Sequence, residues 1–295
     1  MDSNNFPMKT HLVTIFCLLF VFQSQAQYLN SKKSTGPGAM FVYWGYNRSI
    51  YSTSTLHFIG PGYDFRLQGV QAVDRPSRTL SEYVDPTKFT VPQFDFRIGY
   101  NFKKNWAFSL GYDHMKYVMV HGPTYYLSGT INPGVDPSTH WSGTYSGDSV
   151  TTQESTFHYE NTNGLNYISA QLTNVFKIYQ SEKGRFALTT MMGAGAGPIV
   201  SFNDFTFAGQ KNVATVSLSG FGVSGHVGMR AEFFKHIFVQ ANVSGGFIDQ
   251  VRVKTRPNDY DSHAKQVFLY GERDIVVGAL FYLQNKDKCN TCPNW

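Results

Sequence analysis

The sequence predicts an all-β protein, closed as an antiparallel barrel, and three observations carry that expectation. Apolar and polar residues alternate with period two over long stretches. Neighbouring stretches, folded about short turns, bring their apolar residues to a single face. Connections then alternate between short and long along the chain. Composition points the same way: of 295 residues 42% are hydrophobic and 16% aromatic, and only 15% are charged, against about 25% in a soluble domain. A mean hydropathy of -0.26 excludes a polytopic helical membrane protein.

The N-terminal segment reads as an export signal. Lys9 and His11 precede an apolar run from Leu12 to Phe22, and Ser24-Gln25-Ala26 offers small residues ahead of a cut after Ala26. The run holds 11 residues, whereas a helical span needs about 20. Cys17 lies within the run and not at its end, which argues against a lipid anchor. The expected organisation is a signal over 1–26, a barrel over 27–283 and a polar tail over 284–295. That tail carries Cys289 and Cys292, a C-x-x-C that in an exported protein forms a local disulfide; one pair is only half a zinc site.

The first clear strand runs from Phe94 to Phe102. Phe94, Phe96, Ile98, Tyr100 and Phe102 share one face, with Asp95, Arg97, Gly99 and Asn101 on the other. A turn at Lys103-Lys104-Asn105 then sets Phe102 against Trp106, Tyr100 against Phe108, Ile98 against Leu110 and Phe96 against Tyr112. On the opposite face Asp95 meets Asp113 and Arg97 meets Gly111. Phe234-Lys235-His236 repeats the device, with Arg230 facing Gln240 and His226 facing Ser244. A longer turn near Ser181 to Gly184 joins Ile168–Ile178 to Phe186–Val200, and sets Gln171 and Ser169 against Gly193 and Gly195.

Eight strands follow: Ala39 to Asn47, Pro92 to Phe102, Trp106 to Val120, Leu165 to Ile178, Phe186 to Phe202, Val216 to Phe233, Ile237 to Ile248 and Val267 to Leu283. The connections at the other end are Arg48 to Val91, His121 to Gly164, Asn203 to Thr215 and Asp249 to Gln266. Tyr63 to Val73 and Tyr125 to Ile131 alternate as well; they either extend the hairpins beyond the barrel or raise the count to ten.

An apolar face suits a transmembrane barrel, and it also suits a soluble sandwich. Aromatic residues beside the short turns (Phe102, Trp106, Phe186, Phe233, Phe234, Phe281, Tyr282), a polar face that mixes Gly with ions, and the loop rhythm favour the membrane barrel, with long extracellular loops. Through signal, alternation and loop rhythm the chain resembles the outer-membrane β-barrel proteins common in Bacteroidota. Gly60-Pro61-Gly62-Tyr63-Asp64-Phe65 and Asp113-His114-Met115-Lys116-Tyr117 look like sequence of that group. The resemblance implies an outer-membrane location, lipid as a partner and no cofactor. Where such barrels end on an aromatic residue of the last strand, this chain continues through Gln284 to Trp295.

Three constellations could carry chemistry. The inward set is Asp95, Arg97, Asp113, His226, Arg230, Glu232, Glu272 and Asp274. An eight-stranded lumen is just wide enough for side chains to fill it, so these groups are expected to pair as a polar plug. His140, Ser142 and Glu154 supply a base, a nucleophile and a carboxylate, at a spacing similar to that of outer-membrane lipid A deacylases; they lie in a stretch that reads as loop. Loop aromatics, Tyr63, Phe65, Tyr83, Phe89, Tyr125, Tyr126, Trp141 and Tyr145, could anchor a surface glycan or protein, or pack the extended hairpins together. No phosphate-cradling loop, nucleotide fold or full metal site is present, and Asp113-His114 alone is a weak ligand pair. The net charge of +5 is mild, and Lys103-Lys104 and Lys183 to Arg185 lie in turns, so no nucleic-acid surface is expected. The expected role is structural or surface-interacting, the alternatives being a lipid-modifying enzyme of the outer leaflet and a narrow pore.

Overall fold

Period-two alternation leaves one question open: which face points inward, and whether it does so along the whole strand. A computed structural model describes residues 33–77, 79, 81–84 and 92–283. The signal, Phe89, Cys289 and Cys292 lie outside the described residues.

Among the described residues thirteen strands form one antiparallel sheet. Eight of them close on themselves: β1 (Ala39–Tyr51), β5 (Phe94–Lys103), β6 (Trp106–Met119), β9 (His158–Gln180), β10 (Phe186–Phe207), β11 (Gln210–Phe233), β12 (Ile237–Lys254) and β13 (His263–Tyr282). Closure comes from β1 pairing with β13 from Ala39↔Tyr282 to Tyr51↔Tyr270. The ring therefore has eight strands, not ten.

The two short hairpins keep the expected register. Asp95 faces Asp113, Arg97 faces Gly111 and Ile98 faces Leu110. Arg230 faces Gln240 and His226 faces Ser244. A bulge next to Asn101 puts Lys103, not Phe102, opposite Trp106. The β9–β10 hairpin departs by two residues: Gln171 faces Gly195, and Gly193 faces Thr173. Beside the turn Ala187 faces Gln180, a departure of three, and the irregularity between Leu188 and Thr189, which passes over Ile178, brings it back to two and restores the faces.

At the long-loop end the expected loops are largely strand. β10 and β11 continue to a tight turn at Ala208-Gly209, whose φ values of 55° and 69° suit a reversal. The first long connection folds into β2 (Ser54–Gly60), β3 (Tyr63–Val70), β4 (Ala72–Val73) and a single helical turn, Ser81–Val84. The second folds into β7 (Thr124–Ile131) and β8 (Gly143–Thr151). β2 takes over from β1 beside β13, and β3, β7 and β8 continue that wall.

The faces exchange character along the strands. Toward the short turns the outward face is apolar and uncovered: Leu110 is 53%, Ile275 65% and Val277 58% exposed. Toward the long-loop end the inward face is apolar. There Leu56, Phe58, Phe65, Leu67, Tyr159 and Phe205 form a core with no access to solvent. Phe58 stacks on Phe205 with centroids 5.1 Å apart and meets Phe65 at 5.2 Å. The molecule is thus a barrel with an apolar belt outside and a β-walled lobe with an apolar core above it.

Candidate functional site

Inside the belt and below the lobe, the inward faces of all eight ring strands enclose a polar cell, a cavity of about 40 Å³. Backbone register decides who meets whom. Asp95 and Asp113 face each other across β5 and β6, and Arg97 sits one inward step toward the short turn. Its guanidinium needs room over the neighbouring strand, which Gly111 provides: a Cβ there would lie 2.3 Å from Arg97 Cζ. Arg97 Nη2 donates to both Asp113 carboxylate oxygens at 3.0 and 3.2 Å and to Ser169 Oγ at 3.2 Å. Its Nε donates to Tyr43 Oη at 2.9 Å.

The other carboxylates form a separate group. One oxygen each from Asp95, Glu272 and Asp274 lies within 4.8 Å of the others. Neutral donors hold this group in place. Asn47 Nδ2 donates to Asp95 Oδ1 at 2.5 Å, Asn242 Nδ2 to Asp274 Oδ1 at 2.6 Å and Ser244 Oγ to Glu272 Oε1 at 3.4 Å. Asp95 Oδ2, Glu272 Oε2 and Asn47 Oδ1 are buried without a hydrogen-bond partner. Among the described residues, the ion pair in this cell is Arg97 with Asp113.

At the short-turn end of the cell, Arg230 donates to Gln240 Oε1 at 2.7 Å and lies between the rings of Phe41 and Phe238, 4.9 and 4.1 Å from their centroids. Glu232 accepts from Thr189 Oγ1 at 3.0 Å. His226 Nε2 is hydrogen-bonded to Thr173 Oγ1 at 3.1 Å. An apolar floor of Phe41, Tyr43, Phe238, Val276 and Leu280 closes the short-turn side.

Of the remaining candidates, His140, Ser142 and Glu154 are all exposed in the connections flanking β8. Among the described residues no hydrogen bond or ion pair joins any two of them; the Ser142 amide instead donates to Tyr145 Oη at 2.8 Å. Loop aromatics mostly turn inward: Tyr63, Phe65, Tyr125 and Trp141 belong to the lobe core, while Tyr126 is exposed and Tyr83 packs on Tyr46. His114 Nδ1 is taken by Asn166 Oδ1 at 2.7 Å.

Sequence reasoning missed two sets of residues. Asn47 and Tyr43 come from β1, whose run Ala39–Tyr51 is aromatic on both faces and so gives no inward signal. A chain of side chains in the lobe also went unread: Thr152 Oγ1 to His121 Nδ1 at 3.0 Å, His121 Nε2 to His158 Nδ1 at 2.8 Å, and His158 Nε2 to Glu160 at 3.0 Å. Burial and the neighbouring His158 hold His121 below the usual histidine range. Burial works against ionising Glu160, but His158 and the Arg75 guanidinium outweigh it and hold the carboxyl low.

No protein-family profile matches the chain, and no curated protein matches it. Solved structures similar to it include Neisserial surface protein A, at 11% identity and a TM-score of 0.36 over 83% of this chain and 99% of that one. Outer membrane protein OprG from Pseudomonas aeruginosa has 10% identity and a TM-score of 0.37 over 84% and 98%. The attachment invasion locus protein Ail of Yersinia pestis has 12% identity and a TM-score of 0.31 over 83% and 99%. The barrel assignment itself rests on the closed ring of strand pairing.

Proposed function

We propose that this chain is a non-porous barrel of the outer membrane that holds a folded β-lobe at the cell surface. The observation that supports this reading is the exchange of face polarity along single strands. An uncovered apolar belt asks for lipid outside. A lobe with its own apolar core, and with Asp64, Arg66, Gln68 and Lys265 turned outward, asks for water around it. The long-loop end is then the extracellular end.

A structural or surface-interaction role fits this division better than transport. The cell is small, the aromatic lobe core lies above it and the apolar floor below. The partner, a surface glycan or protein, would meet the outward face of β13, β2 and β3, where Lys265, His57 and Arg66 lie in one register row. Asp64 hydrogen-bonds His57 at 2.7 Å and fixes that imidazole in the row.

The test has two parts. The mature chain, refolded into phosphatidylcholine vesicles, should float with the lipid and migrate as a compact, heat-modifiable band, without passing small ions. Protease added outside cells should cut the β7–β8 connection and leave the barrel whole. Steady single-channel conductance, or a chain recovered in the soluble periplasmic fraction, would reject the reading.

A further inference from the structure

Three carboxylates share one small space, and among the described residues no cation forms an ion pair with them. Asp95, Glu272 and Asp274 bring oxygens within 4.8 Å of one another. Among the described residues, no lysine, arginine or histidine forms an ion pair with any of the three. Arg97 is directed to Asp113, Ser169 and Tyr43, and Arg230 to Gln240 and two aromatic rings. Like charges this close in a low-dielectric cell repel strongly unless something neutralises them.

A second observation does not depend on the carboxylates. Asn47 is only 1% exposed, its amide nitrogen touches Asp95, and its carbonyl oxygen has no partner. That orphan oxygen sits on an amide already fixed against the carboxylate group. Asp95 Oδ2 and Glu272 Oε2 are orphaned in the same way. These unused oxygens are hard acceptors, and an acceptor is satisfied by a proton donor or by a cation; in the same cell Arg97 Nη1 is likewise without a partner.

We propose that Asp95, Glu272 and Asp274, with the carbonyl of Asn47, bind one hard divalent cation of the calcium type inside the barrel. Two features select that class. The donors gathered here are all oxygens, from carboxylates and an amide, which hard cations such as calcium take and softer metals do not favour. The cell is lined by four carboxylates and two guanidiniums, and the buried Glu232 beside Arg230 adds a fifth carboxylate, so negative charge is in excess and a cation offsets it. The binding is structural: the ion joins β1, β5 and β13 across the seam where the ring closes. This assignment stands on the closed lumen and is independent of any surface partner.

The experiment uses the mature chain refolded in phosphatidylcholine vesicles and stripped with chelator. Calcium chloride is titrated by calorimetry, and the temperature at which the heat-modifiable band is lost is read with calcium and with chelator. One calcium per barrel and a higher midpoint in calcium are expected. Asp274→Asn should weaken calcium binding about tenfold or more, and should raise the midpoint in chelator, because it removes a repelling charge. Asn47→Asp should do the reverse: a lower midpoint in chelator and a larger gain from calcium. Equal midpoints of the parent protein in calcium and chelator would overturn the proposal. So would an unchanged calcium response in both variants, which would put the ion elsewhere. A midpoint that rises on acidification in chelator, with no effect of calcium, would mean that protons neutralise the group, and would overturn it equally.

Discussion

Arg97 on β5 reaches diagonally to Asp113 on β6 and touches both of its carboxylate oxygens, at 3.0 and 3.2 Å, over the bare backbone of Gly111. This is a buried ion pair with further donors attached, and its value lies in what its loss would strand. Arg97→Ala leaves Asp113 buried and uncompensated, at a cost of about 3–5 kcal/mol. Urea unfolding of the vesicle-embedded barrel should show that drop, and an unchanged midpoint would mean that the pair holds nothing in place.

Gly111→Ala should act through the same pair without removing a charge. Its Cβ would lie 2.3 Å from Arg97 Cζ, so the guanidinium must shift from its seat against Asp113. Overpacking of this kind costs about 1–3 kcal/mol. Combined with Arg97→Ala, the glycine substitution should add little, because the group it displaces is already gone; a double-mutant cycle measures that coupling.

The belt makes a depth-dependent prediction. Leu110 is outward and 53% exposed, opposite Ile98 and far from either end of its hairpin. Leu110→Arg should cost about 2–4 kcal/mol, whereas the same change at Phe233, beside a short turn, should cost about 0–1 kcal/mol. Equal costs at the two sites, in reversible unfolding from vesicles, would argue that the face is not in lipid.

Phe58 lies at the centre of the lobe core, within 5.7 Å of the rings of Phe65, Phe157, Tyr159 and Phe205. Phe58→Ala should destabilise the lobe by about 3–5 kcal/mol. Limited proteolysis should then cut within residues 54–70 and 124–151, while the heat-modifiable barrel band persists.

The lobe should also loosen in acid. His121 titrates below its ordinary value of 6.5, so the unfolded lobe takes up its proton first and stability falls as the pH drops below about 6.5. Glu160 titrates below its ordinary value of 4.5; its contribution is present above that pH and is lost as the pH falls through the folded value. Both act in one direction, so proteolysis of the lobe should accelerate in two stages on acidification. His121→Gln should remove the upper stage and leave the lower.

Most of the ring was legible because lipid outside and polar side chains inside impose a period of two wherever both faces are strict. The hairpin from Asp95 to Asp113 shows this: its register followed from placing four apolar pairs on one face. The β9–β10 register slipped by two because such a slip preserves the face of every residue, and only the irregularity at Leu188 and Thr189 betrays it. Asn47 was invisible, since Phe41, Tyr43, Trp44 and Tyr46 make both faces of β1 aromatic. The lobe was hidden for another reason. Phe58, Phe157 and Phe205 come from three different connections, and no local pattern announces a core assembled from such distant pieces.

The inner face of β13 reads Ala264, Gln266, Phe268, Tyr270, Glu272, Asp274, Val276, Gly278 and Leu280, so a single strand crosses from the lobe core through the polar cell to the apolar floor. In a barrel of uniform lumen, sliding a strand by two residues keeps inside and outside intact, and the shear of the barrel is only weakly guarded. Here the same slide would carry Tyr270 into the place of Glu272 and drive Asp274 into the place of Val276, onto the apolar floor. Each strand of this kind is thus a graduated ruler with one acceptable setting, and the stagger that fixes the barrel's girth is written into the sequence of its inner wall.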